Sequence, residues 1–547
     1  MPPRDTTELI IGTAPQFFFD NGILGAVQNV TRTLHSPRKI ESNPVIRSDR
    51  PWEHVTYFTF NSWHVWHDPD SGRTNCVYED WQLDRDRLVN EARGTIHAWT
   101  HARMRQLYAY SDDGVEFVKP AMGNVVEEGH DTNIVLGSEE FGSVHSPTII
   151  DDPWETDPER RFKIMFFHVP PELKEVGGGL PMVAHSPDGI HWTHHDQPPV
   201  VGSERAQLDD CGAVIADPES HGYLSFTRHP LMSGSPDFVR MPPLNPTGGT
   251  PTYDVAVDVP HRRNRRRVFI MESSDFQHWT TPRLVLAPDP EIDNLDTAFY
   301  GMKPYRIGTQ WLGFLSILNM VSNTMHVELV HSRDGRSWRR VAPGRPWLEP
   351  GPPGAWDQFM VNVNSAPLAV DGDELRVYFG GARNHHDWWF AGPTENRDDP
   401  SRWNHAPEVD DMGEVGYALG LARIRRDGFV SLDASLEREG VIATEPFVTE
   451  GDTLLINACC RAGGYVKVEV TDTHDRPLAG AIESDCDPFT GDSVAHTVTW
   501  GGRPTIPMAT RDIDDIRMPA IPYRRLRFTL RGAELYSFQI VPSGSGD

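Results

Sequence analysis

Four short stretches of this chain of 547 residues are near-copies of one another: AYSDDGVEFVKP from Ala109, VAHSPDGIHWTHH from Val183, MESSDFQHWTTP from Met271 and LVHSRDGRSWRR from Leu329. Their shared frame is Ser-x-Asp-Gly-x-x-Trp. Asp-Gly suits a tight turn because both residues tolerate positive φ. The flanks alternate apolar and polar residues as half-buried strands do, so each copy predicts a β-hairpin. The copies start at Ser111, Ser186, Ser273 and Ser332, and a worn fifth lies in ARIRRDGFVSL, with Asp427-Gly428 as its turn. Intervals of 75, 87, 59 and then 95 residues are too uneven for a solenoid. They suit four-stranded propeller blades with loops of variable length.

Between the hairpins a second signal recurs, an apolar strand, a turn and another apolar strand. It reads NSWHVWHDPDSGRTNCVY, SPTIIDDPWETDPERRFKIMFF, GAVIADPESHGYLSF, FYGMKPYRIGTQWLGFLSI and APLAVDGDELRVYFGG. Five inner hairpins matched to five outer ones predict an all-β, five-bladed β-propeller, in preference to an irregular array of β-sandwiches. From about Glu445 the texture changes to short alternating strands, TLLINACC, GYVKVEVTD, SVAHTVTW, RLRFTLR and ELYSFQI, a β-sandwich of ordinary size. The expected division is a propeller over 1–444 and a C-terminal β-sandwich over 445–547.

The net charge of −27 argues against a polyanionic partner such as nucleic acid. The basic run from His261 to Arg267 reads as a solvated turn before the Val268-Phe269-Ile270 strand. The five scattered cysteines show no metal-ligand spacing and read as free thiols. No signal peptide or membrane-length apolar run is recognisable, so a cytoplasmic protein without a membrane partner is expected.

In a propeller the first strand of each blade lines the central channel, and the second returns to the same face. Site residues should therefore precede each inner turn by about seven positions, or follow each second strand. Counting back selects Asn61, His145, Asp210, Tyr300 and Asn364. Acids near these positions are Glu139, Glu140, Asp209, Asp293, Asp296 and Asp357; Glu79-Asp80-Trp81, His168, Arg228-His229, Asn319 and the Arg383–Trp389 segment follow second strands. Crowded carboxylates separate into one of raised and one of low pKa, the division an acid/base pair needs. Asp210, Asp296 and Glu140 are the candidate catalytic acids. Asn61, His145, Arg228, His229, Tyr300, Asn364, Arg383, His385, His386 and Trp388 are candidate substrate-binding residues, with arginine forks and an aromatic platform suited to a sugar. His385-His386 without a third ligand makes a poor metal site, and neither metal nor cofactor is expected. The Asp residues of both sets of turns, among them Asp68, Asp152 and Asp217, should be structural, and Trp192, Trp279 and Trp338 should pack between blades.

Five blades, Ser-x-Asp-Gly-x-x-Trp hairpins and a following sandwich resemble the five-bladed glycoside hydrolases, the superfamily that holds the β-fructofuranosidases and arabinosidases. HSPTIIDDPWETDPERRFKIMFF, HSPDGIHWT and DTAFYGMKPYRIGTQWLGFLS are similar to bacterial propeller proteins described as family-32-like glycosidases. The C-terminal VKVEVTDTHDRPLAGAIESDCDPFTGDS is similar to their sandwich domain. The resemblance covers most of the chain and implies a glycosidase acting on a small glycoside or oligosaccharide, furanosides included. The invertase signatures Trp-Met-Asn-Asp-Pro-Asn-Gly, Arg-Asp-Pro and Glu-Cys-Pro are absent, so no catalytic residue is carried over from it. A glycoside phosphorylase, a non-catalytic carbohydrate-binding propeller and a protein-interaction platform are the alternatives. The sandwich would brace the propeller or supply a homo-oligomer contact.

Overall fold

A computed structural model describes residues 9–543 apart from 84–101, 128, 172–178, 195–197, 203, 206–211, 228–265, 290, 295–296, 320–321, 323, 387–415 and 508–522. The described residues are all-β, with two single-turn 3-10 helices at Pro158–Arg160 and Glu483–Asp485. They form a five-bladed propeller and a β-sandwich.

Each blade is an antiparallel meander that starts at the channel and works outward. Blade 1 runs through Trp63–Asp68, Arg73–Leu83, Ala102–Ser111 and Ile134–Leu136. Blade 2 uses Ser143–Asp151, Phe162–Val169, Leu180–Ser186 and Thr193–His194. Blade 3 follows with Ala213–Asp217, Gly222–Thr227, Val268–Ser273 and His278–Trp279. Blade 4 is Thr297–Ile307, Gln310–Asn319, Thr324–Ser332 and Arg339–Arg340. In blade 5 the inner strand is broken into Met360–Asn362 and Leu368–Asp371, and Glu374–Ala382 and Tyr417–Arg425 follow.

The outer strand of blade 5 departs from the sequence expectation. Asp427-Gly428 does make a turn, with Asp427 at φ 59°. The arm after it, Val430–Ala434, nevertheless leaves the blade and pairs with Thr31–Leu34 and Arg525–Val541 in the sandwich sheet. The blade is completed by the other end of the chain: Arg38–Lys39 and Ile46–Arg47 pair with Tyr417–Arg425. Between these two short strands the Asn43 side chain stands in for backbone. Its Nδ2 donates to Leu421 O at 2.9 Å, and its Oδ1 accepts from Leu421 N at 2.7 Å. The sheet that carries the C-terminal strands also takes in Gln16–Phe17, Leu24–Gln28, Thr31–Leu34, Val430–Ala434 and Gly440–Thr444. Arg425 ties it to blade 5, donating to Asn457 Oδ1 at 2.7 Å and Asp492 Oδ1 at 2.6 Å.

The repeated hairpins owe their shape to side chain–backbone bonds inside the motif. In the first copy Asp113 Oδ1 accepts from the N–H groups of Val115 and Glu116, and Ser111 Oγ accepts from Gly114 N. Asp188, Asp275 and Asp334 do the same for the residues two and three positions on. The residue after each Asp takes a positive φ, which glycine adopts freely. The third copy has Phe276 there, at φ 65°, and its ring packs edge-on to Tyr223 at 5.2 Å.

Each hairpin seals the preceding seam. Trp192 packs on the blade 1–blade 2 cluster around Val77 and Tyr108, Trp279 on Ile150 and Val183 of blade 2, and Trp338 on Leu224 and Phe226 of blade 3. The blade 1 hairpin closes the circle: Phe117 lies edge-on to Tyr378 of blade 5 at 6.1 Å, and Tyr378 Oη donates to Gly114 O at 2.6 Å. On the face of the inner turns, Lys163 and Tyr223 Oη meet Asp152, and Arg336 meets Asp217 at 2.9 Å, so these turn acids hold blades together.

Two outcomes follow from the hairpin chemistry. Burial pushes the Asp334 carboxyl up, but the N–H groups of Ser337 and Arg336 outweigh it and hold the carboxyl at about 2, against an ordinary value of 3.8; Asp275 is likewise held at about 2. A folded value below the unfolded one gives stability that is present above the unfolded value and disappears as pH falls towards about 2. Melting temperature should therefore drop between pH 4 and pH 2 (about one proton per such site), and Asp334→Asn should flatten that drop; an unchanged slope would contradict the assignment. Gly335→Ala puts a Cβ 2.9 Å from Trp311 Nε1 at φ 67°, and calorimetry should show a loss of about 1–3 kcal/mol.

Candidate active site

All five inner strands begin on one face of the ring, and the second strands end there. Tyr78 pairs with Trp63, Val169 with Ser143, Phe226 with Ala213, Asn319 with Thr297 and Ala382 with Met360. Ring closure thereby brings residues from across the sequence to a common mouth. Asp210, Asp296, Arg228, His229 and Trp388 lie outside the described residues.

Asn61 and Ser146 stand at neighbouring inner-strand starts and both adopt left-handed backbone, φ 61° and 49°. Asparagine tolerates this conformation; serine does so at some cost, and strain of this kind concentrates at functional sites. Asn61 Nδ2 donates to Ser146 O at 3.0 Å across the blade 1–blade 2 seam. Behind them lies Glu79, fully buried at the end of the second strand of blade 1. Its Oε1 accepts from Trp81 Nε1 at 2.5 Å and faces His145 Nδ1 at 2.7 Å, while its Oε2 accepts from Ser146 N at 2.8 Å. Because a carboxylate only accepts, this contact makes Nδ1 of His145 the donor and turns Nε2 towards Ser146 Oγ, 3.1 Å away. The buried acid of blade 1 thus orients the histidine and serine of blade 2.

Ser146 and Asn61 form one wall of a recess between blades 2 and 3, of ≈ 340 Å³ including space open to solvent. Thr148, Ser225 and Thr227 bring hydroxyls to it, and Met165, Phe167 and Pro181 supply an apolar side. Gly212, two residues after Asp210, completes the wall. Ser225 is 1% exposed, and its Oγ has no hydrogen-bond partner among the described residues, which costs about 1–3 kcal/mol in a folded chain.

On the opposite side of the mouth Asn364 Nδ2 donates to Thr59 O at 3.0 Å. Tyr300 packs against Phe60, lies edge-on to His386 at 4.9 Å and has the Arg266 guanidinium over its ring at 4.5 Å. The His385 ring lies tilted against Phe359, 3.9 Å between centroids, and Arg383 is exposed. Among the described residues no group of three His, Cys, Asp or Glu is arranged to hold a metal. No helix there is long and apolar enough to cross a membrane. Within the inner strand of blade 4, Lys303 is 7% exposed and makes no ion pair or hydrogen bond among the described residues; burial brings it down to about 8. Burial, then the Lys303 charge, brings His64 on the blade 1 inner strand down to about 3.

Several acids that the strand rule places at the mouth are committed elsewhere. Asp80 is fully buried against Arg105, which also meets Glu127. Asp293 accepts from Arg340 at 2.8 Å, and Asp357 is paired with Lys39 at 2.5 Å. Glu140 sits exposed in a turn just before blade 2. Trp63 is core, donating from Nε1 to Asn362 Oδ1 at 3.0 Å. Sequence position marked Glu79 as following a second strand; its hold on His145 and Ser146 depends on a contact across blades that has no local signature.

The sequence matches no protein-family model and no curated protein. Solved structures with a similar fold include an N-acetylgalactosamine deacetylase from F. plautii in complex with blood group B trisaccharide (16% identity, 72% of this chain and 95% of that chain, TM-score 0.41). A β-1,2-mannobiose phosphorylase from Listeria innocua in complex with β-1,2-mannobiose (12%, 71% and 96%, TM-score 0.43) is another. A glycosyl hydrolase from Bacteroides ovatus (13%, 72% and 94%, TM-score 0.40) is a third. At these identities the likeness is one of fold.

Glu79→Gln presents an N–H₂ group to donors that now meet a carboxylate. Calorimetry should register a loss of about 2–3 kcal/mol. An unchanged melting temperature would show that Glu79 does not hold the mouth together.

Proposed function

We propose that the protein is a glycoside hydrolase of the five-bladed superfamily, cleaving a terminal sugar, furanosides included, from a small glycoside or oligosaccharide. Asp210 and Asp296 are the acid/base pair in this reading. One carboxyl protonates the leaving oxygen while the other acts as base or nucleophile across the ring. What supports it is the division of labour among the acids of this face. Asp80, Asp293 and Asp357 are tied to arginine or lysine, and Glu79 is enclosed by donors. The recess is bounded by Gly212, which Asp210 precedes by two residues in the sequence. Hydroxyls on one side and Phe167, Met165 and Pro181 on the other suit a sugar, which has polar edges and apolar faces. The acidic and His/Arg-rich segments are not repeated equally between blades, which favours a single asymmetric site over the equivalent pockets of a binding-only propeller.

One observation favours phosphorolysis as the second reading. Lys303 is a buried cation with no carboxylate partner among the described residues, on a strand whose other end opens at the mouth. A phosphate in place of the attacking water would supply the missing negative charge. In a panel of aryl glycosides and disaccharides assayed with and without inorganic phosphate, Asp210→Asn should lower turnover by about 10²–10⁴-fold with the melting temperature unchanged. Retained turnover would remove Asp210 from the mechanism. Turnover that requires phosphate would convert the assignment from hydrolase to phosphorylase.

A further inference from the structure

Resting on the glycosidase reading, we infer that the recess between blades 2 and 3 receives the exocyclic hydroxymethyl arm of the terminal sugar, making the enzyme selective for hexopyranosides over the pentopyranosides that lack it.

The seam between blades 2 and 3 changes character along its length. In its lower part Ile150, Val183, Val214, Met271 and Trp279 pack as an apolar core. Towards the mouth the positions that continue this packing carry hydroxyls, Thr148 from blade 2 and Ser225 and Thr227 from blade 3. Thr148 Oγ1 is used structurally, accepting from Val214 N at 2.9 Å. Ser225 Oγ is not: it is buried, lines the recess and has no partner among the described residues.

The other wall sets the size and polarity of what fits. Met165 and Phe167 offer methylene-compatible surface, while Ser225 Oγ offers one hydrogen bond at depth. That pairing matches a CH₂OH group, one carbon and one hydroxyl, better than a ring or a charged substituent; among the described residues no charged side chain lines the recess. Gly212 preserves the space, since a Cβ there would point at Ser225 Oγ and Thr227 Oγ1, 3.7 Å from each, ordinary contacts that narrow the recess without a clash. A site that hydrogen-bonds a substrate hydroxyl rejects the analogue lacking it more strongly than an apolar pocket does, because its own polar group is then left unpaired.

Two readouts on the intact chain separate this inference from the reading it rests on. Turnover is compared within pairs that differ by one CH₂OH: 4-nitrophenyl β-D-galactopyranoside and α-L-arabinopyranoside, β-D-glucopyranoside and β-D-xylopyranoside. Binding is titrated calorimetrically with the free sugars galactose against L-arabinose and glucose against xylose, which needs no catalysis. The larger member of at least one pair should be preferred by about 10–200-fold in kcat/KM or in affinity. Ser225→Ala and, independently, Gly212→Ala should each pull that ratio towards unity. Equal or better use of pentopyranosides, or a ratio that neither variant moves, overturns the hydroxymethyl assignment and leaves the glycosidase standing. Selective hexose binding without cleavage of any glycoside overturns the glycosidase and keeps the recess. No binding of any of these sugars and no cleavage overturns both.

Discussion

Closure of the ring by the N-terminal segment is the constraint that everything at the mouth depends on. Blade 5 cannot complete itself, because the chain leaves it after Arg425 for the sandwich sheet. The two short strands around Asn43 fill the gap, reinforced by Lys39, which donates to Glu349 O at 2.7 Å and pairs with the buried Asp357. Segments nearly four hundred residues apart thereby become neighbours, and the same N-terminal stretch continues into the sandwich sheet through Thr31–Leu34. The sandwich and the last blade are therefore interleaved: both ends of the propeller pass through the sandwich, so releasing one sheet removes the anchor of the other.

Within the ring, stability is shared between neighbours. A hairpin of one blade supplies the aromatic or apolar plug of the seam before it, from Trp192, Trp279 and Trp338 round to Phe117 against Tyr378. This explains why the motif pairs a turn with a downstream aromatic: the turn aims the ring. Phe276 shows the two functions in competition. It accepts a left-handed backbone that costs a bulky residue about 1–2 kcal/mol and returns a ring packed among Tyr223 and Trp279.

What could be read from the chain divides along the same line. The Asp-Gly turns were legible because their bonds are made within four residues, Asp113 to Val115 and Glu116 being the pattern for all. The inner-strand rule placed Asn61, His145, Tyr300 and Asn364 on one face because strand alternation is also local. The fifth hairpin misled for a physical reason: its turn chemistry is sound, yet whether Val430–Ala434 pairs with blade 5 or with the sandwich depends on a competing strand from residues 38–47. For the acids, local pattern cannot say whether a carboxylate meets an arginine from another strand. Asp80 and Asp293 are consumed by Arg105 and Arg340 in that way.

Buried polar groups that the fold leaves unsatisfied point to where stability was given up. Among the described residues Thr59 Oγ1, Gln106 Oε1, Ser225 Oγ and Asn364 Oδ1 are buried without hydrogen-bond partners. Thr59 is bonded to Asn364 near the start of the inner strand of blade 1, Gln106 lies beside Glu79, and Ser225 lines the recess, so all four belong to the strand ends that make the mouth. The turn acids of the opposite face behave differently: Asp68, Asp152 and Asp217 each have hydrogen-bond partners there. Other groups of that face are left without partners among the described residues too, including His67 Nδ1, Trp154 Nε1 and both amide atoms of Gln310, so what sets the mouth apart is the coincidence of an unpartnered hydroxyl, Ser225 Oγ, with an open recess and with the left-handed backbone of Asn61 and Ser146.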